Sequence, residues 1–131
     1  MAKKTKTIPK LKKELQIVFN QFIRLRDKGQ YCISCGEPKE LQAGHYFAVG
    51  GYDGLRFNED NVHGECAGCN CFNESHLIGY GDNLLEKIGL VRFTNLKLNA
   101  KEYRNSNSFK WSRSDLMEKI SYYKAKVKEF E

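Results

Sequence analysis

Residues 63–72 read HGECAGCNCF, and this stretch decides the fold of the chain. It contains three of the five cysteines, and Cys66 and Cys69 are spaced as a C-x-x-C pair. A second pair, Cys32 and Cys35, lies upstream in YCISCGEP. Four thiolates in two such pairs form a closed tetrahedral zinc site, which is structural rather than catalytic. The sequence therefore predicts a structural Zn²⁺ ion bound by all four cysteines.

Other uses of the cysteines fit the sequence less well. Thioredoxin-like redox chemistry needs one reactive C-x-x-C near a βαβ unit, and that pattern is absent. Cys71 is left over and is expected to be a small, partly buried residue rather than a zinc ligand. The chain has no apolar run of membrane-spanning length and no signal-peptide pattern at its basic N-terminus. We expect a cytoplasmic protein without membrane contact, in which thiols stay reduced.

Charge divides the chain into three parts. The net charge is +6, composed of +7 over residues 1–30, −5 over 31–96 and +4 over 97–131. Basic arms suit phosphate backbones, although lysine-rich helices are often only solvated faces. An acidic middle suits a site that attracts a divalent cation. The charge pattern favours DNA as a partner without establishing it.

Thirty residues separate the two cysteine pairs, more than a zinc ribbon needs. LQAGHYFAV (41–49) is predicted as a strand, GGYDGLRFNEDN (50–61) as a loop, and VHGEC (62–66) as a second strand. A helix is expected to start near Cys69 or Asn70. Zinc would then hold the base of a β-hairpin to the start of a helix.

Helices are predicted on both sides of this core. Residues 10–28 carry an apolar stripe and show Lys12, Lys13, Arg24 and Arg26 to solvent or DNA. DNLLEKIG (82–89) is predicted as a short helix capped by Asp82 and ended by Gly89. Residues 90–110 are ambiguous between helix and strand. Residues 112–130 begin with the capping pattern SRSD and form a C-terminal helix.

These elements define the predicted organisation. We expect an α+β fold with a zinc-stapled core. The basic N-terminal helix takes residues 1–30, the zinc-bound core 31–81, and a helical C-terminal region 82–131.

The order C-x-x-C, GH, loop, N, C-x-x-C and N resembles the HNH, or ββα-metal, nucleases. The fuller string AGHY…LRFNEDNVHGECAGCN resembles the phage NinG/Rap recombination endonucleases, which cut branched DNA such as Holliday junctions and D-loops. The likeness extends weakly through the helical tail with its Lys110-Trp111 pair, and covers roughly residues 30 to 128.

The resemblance implies roles for particular residues. His45 would be the general base, and Asn61, in the loop, would orient it through its own backbone. Asn70 would help to hold a catalytic Mg²⁺ or Mn²⁺ ion. His63 is a further catalytic candidate. The alternatives are a turn residue at Asn61, packing on the hairpin at His63 and a helix-cap residue at Asn70.

Gly44 departs from the family pattern. Many HNH nucleases have Asp or His just before the catalytic histidine, and that side chain binds the metal. Glu74, one helical turn after Asn70, is the first candidate for the missing ligand. His63, His76 and Asp53 are others. Arg56, in the loop, is a candidate phosphate clamp.

The function that follows is a structure-specific, metal-dependent DNA endonuclease that acts on branched recombination intermediates. A homodimer is expected, because two-fold junctions favour symmetric enzymes, and the amphipathic end helices are candidates for its interface. The main alternative is a zinc-stabilised module that binds branched DNA without cutting it. A zinc-stabilised protein-interaction adaptor is a second alternative.

Overall fold

The computed structural model describes residues 5–72, 75–104 and 109–131. Within these residues the fold consists of four α-helices and a two-stranded antiparallel sheet, so it is of the mixed α+β class, as predicted. In chain order the elements are α1 (Ile8–Arg26), β1 (Leu41–His45), a 3₁₀ turn (Asp53–Leu55), β2 (Val62–Cys66), α2 (Ala67–Phe72), α3 (His76–Arg104) and α4 (Arg113–Lys128). Among the helices of these residues, none is long and apolar enough to cross a membrane.

The hairpin confirms the prediction of two strands between the cysteine pairs. β1 and β2 are antiparallel, with Gln42 opposite Glu65 and Gly44 opposite His63. β2 has the predicted bounds, but β1 ends at His45 rather than continuing to residue 49. The reason lies in Asn61, whose side chain bonds the main-chain N–H and C=O of Phe47 at 2.8 and 3.1 Å. At Phe47, hydrogen bonds to the Asn61 side chain therefore take the place of main-chain hydrogen bonds between the strands.

Helices α1 and α4 pack against each other and confirm their predicted apolar stripes. Phe19 of α1 meets the ring of Tyr123 edge-on, with 4.9 Å between centroids. Both helices begin with a hydroxyl cap, on Thr7 and Ser112, that accepts a backbone N–H three residues later. The buried residues of the pair are Leu11, Leu15, Val18, Phe19, Phe22 and Ile23 of α1, and Leu116, Ile120, Tyr123 and Val127 of α4.

The predicted short helix at 82–89 is wrong in its bounds. Asp82 is not the helix cap, because α3 begins at His76 and continues to Arg104, which also makes 90–104 helical. Gly89 does interrupt the helix, with a φ of 85° that side-chain-bearing residues rarely adopt. The helix after β2 likewise starts at Ala67, before the predicted Cys69 or Asn70.

Asp27 connects α1, β2 and α3 at one buried point. It is 1% exposed and accepts hydrogen bonds from Arg26, from the Gly64 N–H at 2.8 Å, and from Lys87 at 3.2 Å. Burial alone would raise the Asp27 pKa, but the hydrogen bonds and charge of Arg26, with the charge of Lys87, lower it to about 2. Arg26, expected to face solvent or DNA, is therefore turned inward.

We expect Asp27→Asn to lower the free energy of unfolding by about 3 kcal/mol at pH 7, because two cations lose their buried partner. The contribution of this carboxylate is present above pH 3.8 and is lost as the pH falls towards 2, since its folded pKa is depressed. Urea denaturation measures the effect. The exposed Asp82→Asn is the matched control, and equal losses in the two variants would contradict the assignment.

Candidate metal centre and active site

The four cysteines of the two C-x-x-C pairs lie together, as predicted. Their sulfur atoms are all within 4.8 Å of one another, and Cys35 Sγ is 3.9 Å from Cys66 Sγ. A tetrahedral Zn²⁺ ion with bonds of about 2.3 Å separates its sulfurs by roughly 3.8 Å. The cluster therefore has the ligand type, number and spacing of a structural zinc site. Cys71 lies outside it, as expected, but it is exposed rather than buried or half-buried, with its Sγ 3.8 Å from Gln42 Oε1.

The electrostatics of the sulfur cluster also favour a cation. Burial and the neighbouring sulfurs raise the pKa of the Cys69 thiol to about 12. At Cys32, burial would raise the pKa, but backbone N–H groups of Cys35, Cys66 and Ser34 lower it to about 7. Four sulfurs this close resist joint ionisation, and a divalent ion among them removes that resistance.

His45 ends β1 and its ring is held by the loop that follows. Its Nε2 atom donates to the main-chain oxygen of Arg56 at 3.0 Å. The proton is therefore on Nε2, and the lone pair is on Nδ1. Burial lowers the pKa of His45, as does the Arg56 charge, against the raising effects of that hydrogen bond and of Glu65. The ring is thus neutral at pH 7 and has one basic nitrogen.

Asn61 is fully buried and organises the loop rather than the histidine ring directly. Its side chain bonds Phe47 at both main-chain groups and donates to the Leu55 oxygen at 3.2 Å. Leu55 precedes Arg56, whose carbonyl holds His45. The carbonyl that bonds the His45 ring is that of Arg56 and not that of Asn61, whose main-chain oxygen accepts from the Tyr46 N–H at 2.9 Å. The contribution of Asn61 to the position of His45 is therefore through the loop, and not through its own backbone as the resemblance implied.

His63 is placed inside the protein, with both ring nitrogens occupied. It is 1% exposed; Nε2 donates to the Asp60 oxygen at 2.8 Å, and Nδ1 accepts from Arg26 at 3.1 Å. Burial, followed by the charges of Lys87 and Arg26, lowers its pKa to about 3. His63 is therefore neutral, and both of its ring nitrogens are engaged in hydrogen bonds. It has no nitrogen left to accept a proton, as the catalytic role considered above would require.

The candidate metal ligands are dispersed. Asn70, on α2, donates from Nδ2 to Gln42 Oε1 at 3.0 Å, so the amide nitrogen, and not the oxygen that a metal would bind, makes this contact. Asp53 binds Lys12 at 3.0 Å and approaches Arg56 at 3.7 Å, so these two cations, and not a metal shared with Asn70, are its partners. Glu74 lies outside the described residues.

A carboxylate that sequence reasoning missed lies beside Gly44. Glu65 of β2 is fully buried, and its Oε2 atom is bonded by His76 Nδ1 at 2.6 Å and by Ser34 Oγ. Its Oε1 atom has no hydrogen-bond partner within the described part of the chain. The position of Glu65 in the hairpin could have indicated it. Gly44 is paired with His63, and Glu65, two residues further along β2, has its side chain on the same face of the sheet. His76, already a candidate, contacts this carboxylate.

Comparisons with known proteins agree on one family. The pattern of the family described as "NinG: Bacteriophage Lambda NinG protein" matches residues 1–131. The chain is 33% identical over 119 residues to "Protein ninG" of Salmonella phage P22 and to that of Escherichia phage lambda. These matches cover 89% of the chain but 56% and 55% of the two relatives. The chain therefore spans about half the length of these curated relatives. No solved structure matches it.

We expect the purified protein to contain one zinc ion per chain, and Cys66→Ser to lose both zinc and cooperative unfolding, because the metal supplies folding free energy. Metal content by mass spectrometry and thermal denaturation measure the two effects. Cys71→Ser is the matched control, with zinc retained. A Cys66→Ser protein that keeps its zinc and its unfolding transition would contradict the four-sulfur site.

Proposed function

We propose that this chain, which belongs to the bacteriophage lambda NinG family, is a metal-dependent endodeoxyribonuclease of HNH type that cuts branched recombination intermediates in the cytoplasm of the bacterial host. Holliday junctions and D-loops are the proposed substrates. Zn²⁺ on the four cysteines holds the fold, and Mg²⁺ or Mn²⁺ supports the chemistry.

The observation that carries this proposal is the hydrogen bond from His45 Nε2 to the Arg56 carbonyl at 3.0 Å. It fixes the ring and its tautomer, so that Nδ1 can take a proton from an attacking water. The Asn61 side chain supports the neighbouring carbonyl of Leu55 at 3.2 Å, and so holds the loop that holds the base.

A phosphodiester is anionic, so cutting it requires positive charge near the phosphate and the leaving oxygen. The Arg56 guanidinium is near enough to His45 for its charge to lower the pKa of the ring. Its Nε atom donates to Gln16 of α1 at 2.6 Å, which directs the side chain towards that helix. Lys12 and Lys13 lie along the same groove between α1 and the loop. This groove would carry the phosphate backbone.

The packing of α1 on α4 supports a DNA interface made of both basic arms. The two arms, separate in the sequence, are adjacent in the fold, and their exposed lysines include Lys10 and Lys13 of α1 and Lys124 and Lys128 of α4. Contacts of lysine with phosphate give affinity without sequence readout. Such an interface suits a substrate recognised by its shape, as a branched DNA would be.

The proposed homodimer would not use the apolar faces of the end helices, because α1 and α4 bury those faces against each other. Large apolar side chains remain exposed on α3, among them Ile78, Leu90, Val91 and Leu98. We place the dimer contact there.

The alternative, a zinc-stabilised module that binds branched DNA without cutting it, is favoured by one observation. Gly44 offers no side chain where many HNH nucleases have a metal ligand, so the cation site must be built differently or be absent.

The deciding measurement is cleavage of a labelled four-way junction against a linear duplex of the same sequence, with Mg²⁺ or Mn²⁺. We expect cutting selective for the junction, and a loss of at least about a thousandfold in His45→Ala, because the variant lacks the base. Junction binding and zinc content are the controls and should not change. Tight binding by the wild-type protein without cutting under either metal would replace the nuclease by the binding module.

The pH profile of cleavage tests the histidine separately. The base must be neutral, and its pKa lies below 6.5, so the rate should still exceed half of its plateau at pH 6.5. At lower pH the rate should fall about tenfold per pH unit. Single-turnover rates with metal in excess give the profile. A midpoint above pH 6.5 would be inconsistent with His45, in the environment described, as the base.

A further inference from the structure

The space in which a side chain at Gly44 would begin is occupied by Glu65. A Cβ atom built on Gly44 would overlap Glu65 Oε1 and would lie 2.8 Å from Glu65 Cβ. The Glu65 carboxylate can therefore occupy this position only because residue 44 is a glycine. Tyr80 closes the same place, because its hydroxyl donates to the Gly44 oxygen at 2.6 Å.

The two oxygens of this carboxylate have unequal surroundings. Oε2 accepts from His76 at 2.6 Å and from the Ser34 hydroxyl, so its position is fixed from two directions. Oε1 is buried and accepts no hydrogen bond in the described part of the chain. A buried carboxylate oxygen without a partner destabilises the fold, and a bound cation would remove that destabilisation.

Asn70 of α2 contacts the hairpin residue that lies opposite Glu65. Glu65 is directly opposite Gln42, and the Gln42 side chain accepts from Asn70 Nδ2 at 3.0 Å. Directly opposed residues have Cβ atoms about 5 Å apart. The contact with Gln42 is made by the nitrogen of the Asn70 amide and not by its oxygen, which is the atom a divalent cation would bind.

We propose that Glu65 Oε1 is the carboxylate ligand of the catalytic divalent cation, in place of the missing side chain at Gly44, and that the Asn70 amide oxygen is a second ligand. His76 and Ser34 are positioning residues that hold the other carboxylate oxygen. The proposal rests on the proposed function for its catalytic meaning, but not for the binding of the cation. An oxygen-only ligand set suits Mg²⁺ and Mn²⁺ rather than zinc.

This arrangement connects the two metal sites of the chain. Ser34 lies between Cys32 and Cys35, so the zinc cluster fixes the hydroxyl that positions Glu65. The structural metal would therefore set the geometry of the catalytic one.

The test measures direct binding of Mn²⁺ to the zinc-loaded full chain in the absence of DNA. Calorimetry gives the affinity, and electron paramagnetic resonance gives the concentration of free Mn²⁺. We expect one site in the wild-type protein, and Glu65→Gln to weaken it at least about tenfold, because the isosteric amide keeps both hydrogen bonds but loses the charge. Asn70→Ala should weaken it to a smaller extent. The exposed Glu86→Gln is the matched control and should bind as the wild type does.

A second variant keeps the test decisive if Glu65→Gln fails to fold. Gly44→Asp combined with Glu65→Gly moves the carboxylate to the first strand; glycine is used at 65 because the Cβ of that residue would crowd the new side chain. Recovery of Mn²⁺ binding supports the proposal. A folded double variant that binds no Mn²⁺ overturns it, as does a folded Glu65→Gln protein with wild-type affinity.

The outcomes for the site and for the nuclease are distinguishable. Binding of Mn²⁺ that depends on Glu65, with no cleavage of any junction, would keep the cation site and reject the proposed function. Cleavage that is lost in His45→Ala but retained in Glu65→Gln would keep the proposed nuclease function and reject Glu65 as the ligand of the cation.

Discussion

The convergence of four sulfur atoms within 4.8 Å is the constraint on which the hairpin and its surroundings depend. It closes a loop of thirty residues and brings the turn around Cys32 against the end of β2. Further bonds follow from that placement: Ile33 donates to the Gly64 oxygen at 3.0 Å, and Asn83 of α3 donates to the Ile33 oxygen at 2.8 Å. α3 thus contacts the hairpin partly through the cysteine turn. A chain of this size has a small core, and such a connection compensates for limited apolar burial.

A second organising feature is the use of main-chain carbonyls to hold histidines. His45 donates to the Arg56 oxygen, and His63 donates to the Asp60 oxygen. The two rings are otherwise different, because Arg26 also bonds the second nitrogen of His63, whereas no hydrogen bond to the second nitrogen of His45 is found within the described residues. Two histidines from one hairpin therefore differ in chemistry through their partners rather than through their residue type. Only an arrangement of the first kind is suited to proton transfer.

The elements that could be predicted from the sequence are those indicated by residue spacing within a short segment. The stripes of α1 and α4, the bounds of β2 and the cysteine cluster all follow from spacing alone. The length of α3 did not, because Gly79 and Gly81 weaken the helical pattern at its start and Gly89 resembled an end. Glu65 was missed because a glutamate in a short strand ordinarily faces water. Its burial depends on His76 and Ser34, which reach it from eleven and thirty-one residues away, and no local pattern reports such contacts.

The close approaches around the glycines have a practical consequence for mapping this protein by random mutagenesis. A Cβ on Gly79 would lie 3.1 Å from the Ser34 carbonyl carbon, and one on Gly81 would lie 2.9 Å from the Tyr46 hydroxyl. With Gly44, these positions surround the same carboxylate and aromatic cluster. A survey that scores lost activity would therefore single out residues that carry no functional group, and would overlook the exposed lysines, each of which contributes little alone. Intolerance at these glycines would report the tightness of the packing around the chemistry, and not participation in it.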